Sequence, residues 1–213
     1  NRKLNFIFGE NGNGKTNLLE AISMLCYTKS FLLNSDPDCI SYAENAFCLA
    51  GEFFNDSGSG NRIKMTYNRA ENSKTLMHGN EKVGRMNEFI GQFPLIVLSP
   101  RDLKLTTGTP ADRRRNFDLL ISQVSRVYLD DLKNFNRVIK QKNSLLRDNL
   151  FNGRYSRTEL ITLIEPWNEE LADFGLKILL RRLDFIEEFK VYLNLCFAEI
   201  VGNRYVPVIS YQS

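Results

Sequence analysis

The chain of 213 residues is poor in several residue types on which common enzyme classes depend. It has one histidine, His78, which leaves little room for Ser-His-Asp or Cys-His catalysis. Its four cysteines form no Cys-x-x-Cys pair and only His78 could join them, so we expect reduced cysteines in a cytoplasmic protein and no zinc site. No apolar run is long enough to span a bilayer, and we expect no membrane partner. These absences favour phosphate chemistry if the chain is an enzyme.

The overall composition is that of a soluble globular protein. Apolar residues make up 43% of the chain, which is enough for a sizeable core, and charged residues make up 25%. The length suits one large domain or two small ones. A net charge of +3 identifies no partner by itself.

The strongest motif stands close to the start of the chain. An apolar segment, Leu4–Phe8, runs directly into the octapeptide Gly-Glu-Asn-Gly-Asn-Gly-Lys-Thr at residues 9–16. This octapeptide fits the phosphate-loop pattern G-x-x-x-x-G-K-[ST]. We predict a strand before it and a helix after it, because apolar residues recur at positions 18, 19, 22 and 25. The alternative is a Gly/Asn-rich turn that matches by chance, but the strand–loop–helix context favours nucleotide binding.

Each residue type in this loop has a physical role. Glycines let the backbone approach phosphate oxygens, and successive N–H groups with the helix N-terminus attract the negative charge. Lys15 is expected to reach the β- and γ-phosphates, and the Thr16 hydroxyl to bind Mg²⁺. The predicted nucleotide-binding residues are consecutive in the sequence: Gly9, Glu10, Asn11, Gly12, Asn13, Gly14, Lys15, Thr16 and Asn17.

The residues after this first unit predict an antiparallel meander. Turn-rich segments separate four apolar or alternating stretches, at Ala46–Phe54, Asn61–Asn68, Lys74–His78 and Glu81–Val83. The run Phe93–Leu98 is interpreted as a buried parallel strand that ends before Pro100.

The second half of the chain is predicted to be helical. Thr109-Pro110 forms an N-cap for a helix over about 111–150, with a possible break near Ser125. Pro166 is interpreted as the start of a second helix that ends near Ile200, and residues 205–211 as a new strand. The predicted fold class is α/β, with a partial phosphate-loop head at 1–108, an antiparallel helical arm at 109–203, and the start of a returning strand at 204–213.

Two segments carry a family resemblance. FGENGNGKTNLLEAI and VLSPRDLKLTTGTPADRRRNFDLLISQVSRVYLDDLKNFNRVIKQKNSLL resemble the RecF family of bacterial recombination-repair proteins, relatives of the SMC and ABC-type ATPases. The resemblance extends over essentially all 213 residues. It implies an ABC-type ATPase head that binds ATP and Mg²⁺, together with a helical second lobe.

The resemblance also implies a function. It implies a protein that dimerises with ATP on gapped DNA or single-/double-strand junctions and helps to load recombinase with a RecR-type partner. The resemblance further implies weak DNA-dependent ATPase activity, and roles in DNA replication, recombination, repair and the SOS response. The family's signature serine segment, acidic Walker B strand and switch histidine have no counterpart in these residues. We therefore expect an N-terminal fragment that is monomeric and inactive as an ATPase alone.

Positive charge is concentrated on one segment. Residues 113–147 hold nine basic and three acidic side chains, a net charge of +6, so the rest of the chain carries −3. Lys133, Arg137 and Lys140 share one helical face. We predict DNA contacts by these three residues and by Arg113, Arg114 and Arg115; the alternatives are a solvated helix face and, for the arginine triplet, salt bridges across a lobe interface.

Two other function classes stay open. One is a self-sufficient phosphate-loop enzyme such as a small-molecule kinase, although Leu95–Leu98 ends in Ser-Pro rather than in a Walker B acid. The other is a structural SMC-like arm that binds nucleotide without turnover.

Overall fold

Two units of different character make up this computed structural model, which describes residues 4–33, 35–55, 57–202 and 204–211. The first unit, Asn1–Thr107, is here called the sheet unit. The second, Gly108–Ser213, is called the helical unit. Each is described by itself.

The sheet unit consists of a helix and a four-stranded antiparallel meander, followed by short helical turns. Helix α1 spans Lys15–Tyr27, and a 3₁₀ turn follows at Asp36–Cys39. The strands pair in chain order, and the short helices come after them: β1 Ala46–Phe54, β2 Gly60–Asn68, β3 Ser73–His78, β4 Glu81–Lys82, α2 Met86–Phe89, a 3₁₀ turn Pro100–Leu103 and α3 Lys104–Thr107. The predicted meander is confirmed, and Gly79-Asn80 forms a two-residue turn between β3 and β4.

Alternation along the first two strands builds the core of the sheet unit. Residues of β1 alternate between exposed and half-buried positions, and the cross-strand pair Leu49–Met65 lies on the inner face. Helix α1 covers this face with Met24 and Leu25, which belong to the same buried cluster as Met65. The helix approaches closely at Gly51, where a Cβ atom would lie 2.8 Å from Cδ1 of Leu25. A glycine in β1 therefore sets how near α1 lies to the sheet.

Three segments predicted as strands pair with no other strand among the described residues. For residues 4–8 and 93–98 the prediction is wrong. The returning strand at 204–213 stays a prediction, because residues 212 and 213 lie outside the described part of the chain. A β-strand requires a neighbouring strand that shares its backbone hydrogen bonds. The apolar side chains of residues 93–98 are also not covered throughout, since Ile96 is 81% and Leu98 87% exposed.

The described residues of the helical unit form three helices: α4 Pro110–Val124, α5 Arg126–Asn152 and α6 Arg157–Val201. The predicted N-cap at Thr109 is present in α4. The structure adds a reciprocal capping box between Thr109 and Asp112. The predicted break falls at Ser125, whose extended backbone separates α4 from α5 while its hydroxyl accepts from the N–H of Tyr128. Gly153, at φ 58°, ends α5. Helices α5 and α6 pack side by side as an antiparallel hairpin.

Helix α6 begins nine residues earlier than predicted. Its start is a capping box between Ser156 and Glu159, and Pro166 lies inside the helix rather than at its first turn. The interior proline removes one backbone hydrogen bond, but a helix of 45 residues with a packed face tolerates that loss. The predicted end near Ile200 is confirmed, since the helix ends at Val201 and Gly202 is its C-cap.

Apolar and aromatic side chains join the three helices. Ile121 of α4, Tyr128 of α5 and Ile178 of α6 form the buried centre. Phe117 meets Phe185 and Phe189 of α6 edge to face. No helix among the described residues is both long and apolar enough to cross a membrane.

Candidate functional site

The glycine loop before α1 has a backbone that its sequence dictates. Gly12 has φ 92° and Gly14 has φ 76°, conformations that L side chains rarely adopt. A Cβ atom at either position would meet nothing within 4 Å, so the side of the loop that these glycines face is open. The loop therefore combines a glycine-dependent backbone with room beside it for another group.

The first turn of α1 has no cap from the protein itself. Its N-cap residue is Gly14, no side chain of the described residues forms a cap hydrogen bond there, and no acidic residue lies in the first turn. By contrast, α4 and α6 begin with reciprocal capping boxes that include a carboxylate. Free N–H groups and the positive end of the helix dipole suit an anion from outside, such as phosphate.

Lys15 is folded over the loop. Its Nζ atom donates to the carbonyl oxygens of Gly9 and Glu10, both at 2.7 Å. These two bonds hold the ammonium group of Lys15 beside the uncapped N–H groups. A bound anion there would form a charge-assisted hydrogen bond with it. Thr16 follows on the exposed surface and offers one hydroxyl oxygen, the ligand type that Mg²⁺ prefers. The donor set thus fits a nucleotide polyphosphate with Mg²⁺.

The far end of α1 is fastened to the sheet unit. Lys74 of β3 donates to the carbonyl oxygen of Thr28 at 2.5 Å and to Oδ1 of Asp36 at 2.6 Å. A cation at the C-terminus of a helix is favourable for the helix dipole. The hydroxyl of Tyr27 also donates to the carbonyl of Leu95. The predicted loop residues, 9–17, therefore begin a helix whose other end is anchored.

The predicted DNA-binding residues lie in the helical unit. Lys133, Arg137 and Lys140 are exposed on α5. The triplet of Arg113, Arg114 and Arg115 is exposed near the start of α4, and Arg113 donates to the carbonyl oxygen of Gly108 at 3.0 Å. The two groups occupy different helices.

The sequence analysis missed a polar cluster inside the helical unit. The guanidinium of Arg182 forks onto Asp118, with Nη2 at 2.8 Å from Oδ1 and 3.0 Å from Oδ2. Its Nε also donates to the hydroxyl of Tyr128 at 3.0 Å and its Nη1 to that of Tyr211 at 3.3 Å. The sequence did contain a signal for this cluster. Arg182 lies four residues after Ile178, at the helical spacing of the apolar positions of α6, so a charged side chain was placed on an apolar face.

In this cluster the positive charge of Arg182 is paired with the negative charge of Asp118. The Tyr128 hydroxyl donates to Oδ1 of Asp118 as well as accepting from Arg182. Burial, with the hydrogen bond to Asp118 and its negative charge, raises the pKa of Tyr128, so this tyrosine stays protonated. The cluster joins all three helices and residue 211.

Comparison with known proteins first defines the class. Residues 1–194 match the AAA domain family, so the chain belongs to that family.

Within that class the relatives are RecF proteins. The chain is 36% identical over 210 residues to the DNA replication and repair protein RecF of Chloroherpeton thalassium, covering 99% of this chain and 55% of the relative. It is 30% identical over 212 residues to RecF of Streptococcus suis strain 05ZYH33, with the same coverage. The chain therefore spans about half the length of these relatives.

Solved structures agree with the sequence relatives. The recombination mediator protein RecF-ATPrS of the RecFOR pathway matches with TM-score 0.82 and 27% identity, over 93% of this chain and 54% of that chain. RecF-ATP of the same pathway matches with TM-score 0.81, over 93% and 53%. The RecF resemblance is confirmed, and so is the predicted fold class, an ABC-type ATPase head with a helical second lobe.

Proposed function

We propose that this chain forms the nucleotide-binding part of an ATP-dependent, DNA-binding protein of replication and recombinational repair. The single observation that carries the proposal is the uncapped N-terminus of α1 with Lys15 folded over its glycine loop. The confirmed RecF relationship supports the choice of ATP, since RecF-ATP is among the matching structures.

The loop would hold ATP through groups that the chain already presents. Backbone N–H groups at the start of α1 donate to phosphate oxygens, because no side chain competes for them. Lys15 exchanges its bonds to Gly9 and Glu10 for the β- and γ-phosphates, keeping a charge-assisted bond. The Thr16 hydroxyl would bind Mg²⁺, which would supply positive charge to neutralise the same phosphates.

The remaining parts of the proposal concern the longer RecF-type protein. Two heads dimerise around ATP on gapped DNA, with slow DNA-dependent hydrolysis, and assist recombinase loading in the cytoplasm with a RecR-type partner. The DNA contacts are assigned to the exposed basic residues of the helical unit, namely Lys133, Arg137, Lys140, Arg113, Arg114 and Arg115. The charge of this segment, +6, supports a polyanionic partner.

Phosphate release and light scattering on a full-length RecF-type protein containing this sequence test the proposal. We expect slow release with ATP alone, faster release with gapped duplex DNA, and an ATP-induced dimer. Lys15→Ala should abolish all three, while Lys29→Ala, which removes the same charge beyond the other end of α1, should leave them intact.

Two results would contradict the proposed function. Rapid phosphate transfer to a small molecule by a monomer, unaffected by DNA, would indicate a self-sufficient kinase. Tight ATP binding with no phosphate release, even with gapped DNA, would indicate a structural nucleotide-binding arm.

A further inference from the structure

The hairpin of α5 and α6 contains a groove that is separate from the glycine loop and from the Arg182 cluster. Its volume is about 530 Å³, within the range of about 300–1,000 Å³ that ligand sites occupy. It is lined by Gln141, Ser144, Leu145 and Asp148 of α5 and by Trp167 of α6, and is here called the Trp167 groove. The helical spacing of the four α5 residues places them on one face of that helix.

The indole of Trp167 forms an aromatic wall of this groove. The Trp167 residue is half-buried, as is Leu145 of the facing helix. Among the described residues, the buried cluster of this unit is built around Ile121, Tyr128 and Ile178 and does not include Trp167. An indole that lines an open groove offers its face to a flat group, and a guanidinium is the cation that stacks best on such a face.

Asp148 is the one charged residue among the described residues that line the groove. Its Oδ1 atom accepts from Nδ2 of Asn152 at 2.6 Å, while its Oδ2 atom lies 3.7 Å from Nη1 of Arg154. A separation of 3.7 Å is too long for a hydrogen bond, and the Arg154 side chain is 65% exposed. This loose, exposed ion pair contributes little, so a guanidinium from outside can replace Arg154.

The part of α6 around Trp167 is acidic. Residues 158–173 contain five carboxylates and no lysine or arginine, namely Glu159, Glu165, Glu169, Glu170 and Asp173. Glu170 is exposed and lies three residues after Trp167, on the same side of α6. The groove therefore favours a cationic occupant over a nucleic acid.

The cations of α5 closest to the groove do not line it. Lys140 and Arg147 each precede a lining residue by one position, and successive helical residues point about 100° apart. Lys142 donates to Oδ1 of Asn168 at 2.5 Å, between the two helices. The acidic character of the groove is thus kept beside a basic stretch of the same helix.

The dimensions match a short extended peptide. Seven residues separate Gln141 from Asp148, which is about 10.5 Å along α5. An extended chain covers this distance in about three residues. The exposed Gln141 and Ser144 leave the groove open to solvent and offer hydrogen-bonding groups to a peptide backbone.

We propose that the Trp167 groove binds an extended basic segment of a partner protein, with one arginine of that segment stacked on Trp167 and paired with Asp148. Arginine suits the site better than lysine, because a planar guanidinium can stack and pair with a carboxylate at the same time. The proposal concerns a protein-binding surface of the helical unit and does not depend on the nucleotide site.

Peptide titrations of this chain test the proposal. Trp167 is the single tryptophan, so its emission reports occupancy of the groove. The probe is the capped peptide Gly-Arg-Gly-Arg-Gly at low salt, beside the same peptide with lysine or with citrulline in place of arginine. We expect a saturable change with the arginine peptide and weaker binding of the lysine peptide. The citrulline peptide, which keeps the planar group without the charge, should cause no change.

Variants locate the binding, with a dye-labelled peptide and fluorescence anisotropy as the readout. Asp148→Asn should weaken binding about fivefold, the upper end for an exposed ion pair. Trp167→Leu should weaken it about two- to fivefold. Arg154→Gln should strengthen it, because the internal competitor for Asp148 is removed. The matched control, Asp173→Asn, removes a carboxylate six residues beyond Trp167 and should bind as the original chain does. Circular dichroism reports that each variant is folded.

Four outcomes would overturn the proposal. One is no binding of the arginine peptide, and another is equal binding of the citrulline peptide. A third is equal weakening by Asp148→Asn and Asp173→Asn, which would indicate diffuse attraction to the acidic surface. The fourth is self-association of the chain that Asp148→Asn abolishes, since the occupant would then be a second copy.

Discussion

Replacing Asp118 with alanine should strongly destabilise the helical unit. The substitution removes both carboxylate acceptors of Arg182 and one partner of the Tyr128 hydroxyl. The side chains of Arg182 and Asp118 are only 15% and 17% exposed, so water cannot readily replace the lost contacts. Breaking a buried ion pair from one side costs about 3–5 kcal/mol. Since the pair keeps some exposure, we expect a loss of about 2–4 kcal/mol.

Urea denaturation followed by tryptophan fluorescence measures this loss. Trp167, the single tryptophan, lies in α6 and reports on the helical unit. The control is Asp173→Ala, which breaks an ion pair with Lys177 whose side chains are 52% and 59% exposed. That change should cost much less than Asp118→Ala, because solvent screens an exposed pair.

A double variant distinguishes the pair from ordinary packing. Asp118→Leu with Arg182→Met removes both charges together, so neither is left buried alone, and its loss should be smaller than the sum of the two single losses. A loss for Asp118→Ala no larger than that of the control would refute the reasoning. Strict additivity of the two singles would refute it as well.

Three further predictions concern helix packing, a buried thiol and a helix cap. Gly51→Ala should destabilise the sheet unit by about 1–3 kcal/mol, because the new methyl group would meet Leu25, and calorimetric melting measures it. Burial raises the pKa of Cys26 from its ordinary value of 9.0 to about 11. The contribution of this thiol to stability is therefore fully present below pH 9 and lost as pH rises towards 11, and Cys26→Ala should lessen this decline in urea titrations across that range. Ser156→Ala should cost about 1 kcal/mol by removing the acceptor for the N–H of Glu159, as measured by Trp167 fluorescence.

Features determined by neighbouring residues could be predicted from the sequence. The glycine loop, the start of α1 and the meander follow from turn residues and apolar periodicity within short windows. Thr109 marked the start of α4 because a cap and a following proline are local signals.

Features that depend on distant residues could not. The apolar run at 93–98 has the composition of a strand, but strand formation needs a partner that no local pattern supplies. Pro166 was interpreted as a helix start because proline favours the first turn, while the stronger signal was the box between Ser156 and Glu159. The Arg182 cluster joins residues more than 60 positions apart, and only the fold brings them together.

Calorimetric titration of this chain with Mg²⁺ and ATP tests the central claim, that the loop before α1 binds a nucleotide polyphosphate. Lys15→Ala should weaken binding by about ten- to a hundredfold, since a hydrogen bond to a charged group contributes about 1.5–3 kcal/mol. Lys29→Ala should bind ATP as the original chain does. Equal ATP affinity for the original chain and Lys15→Ala would contradict the account.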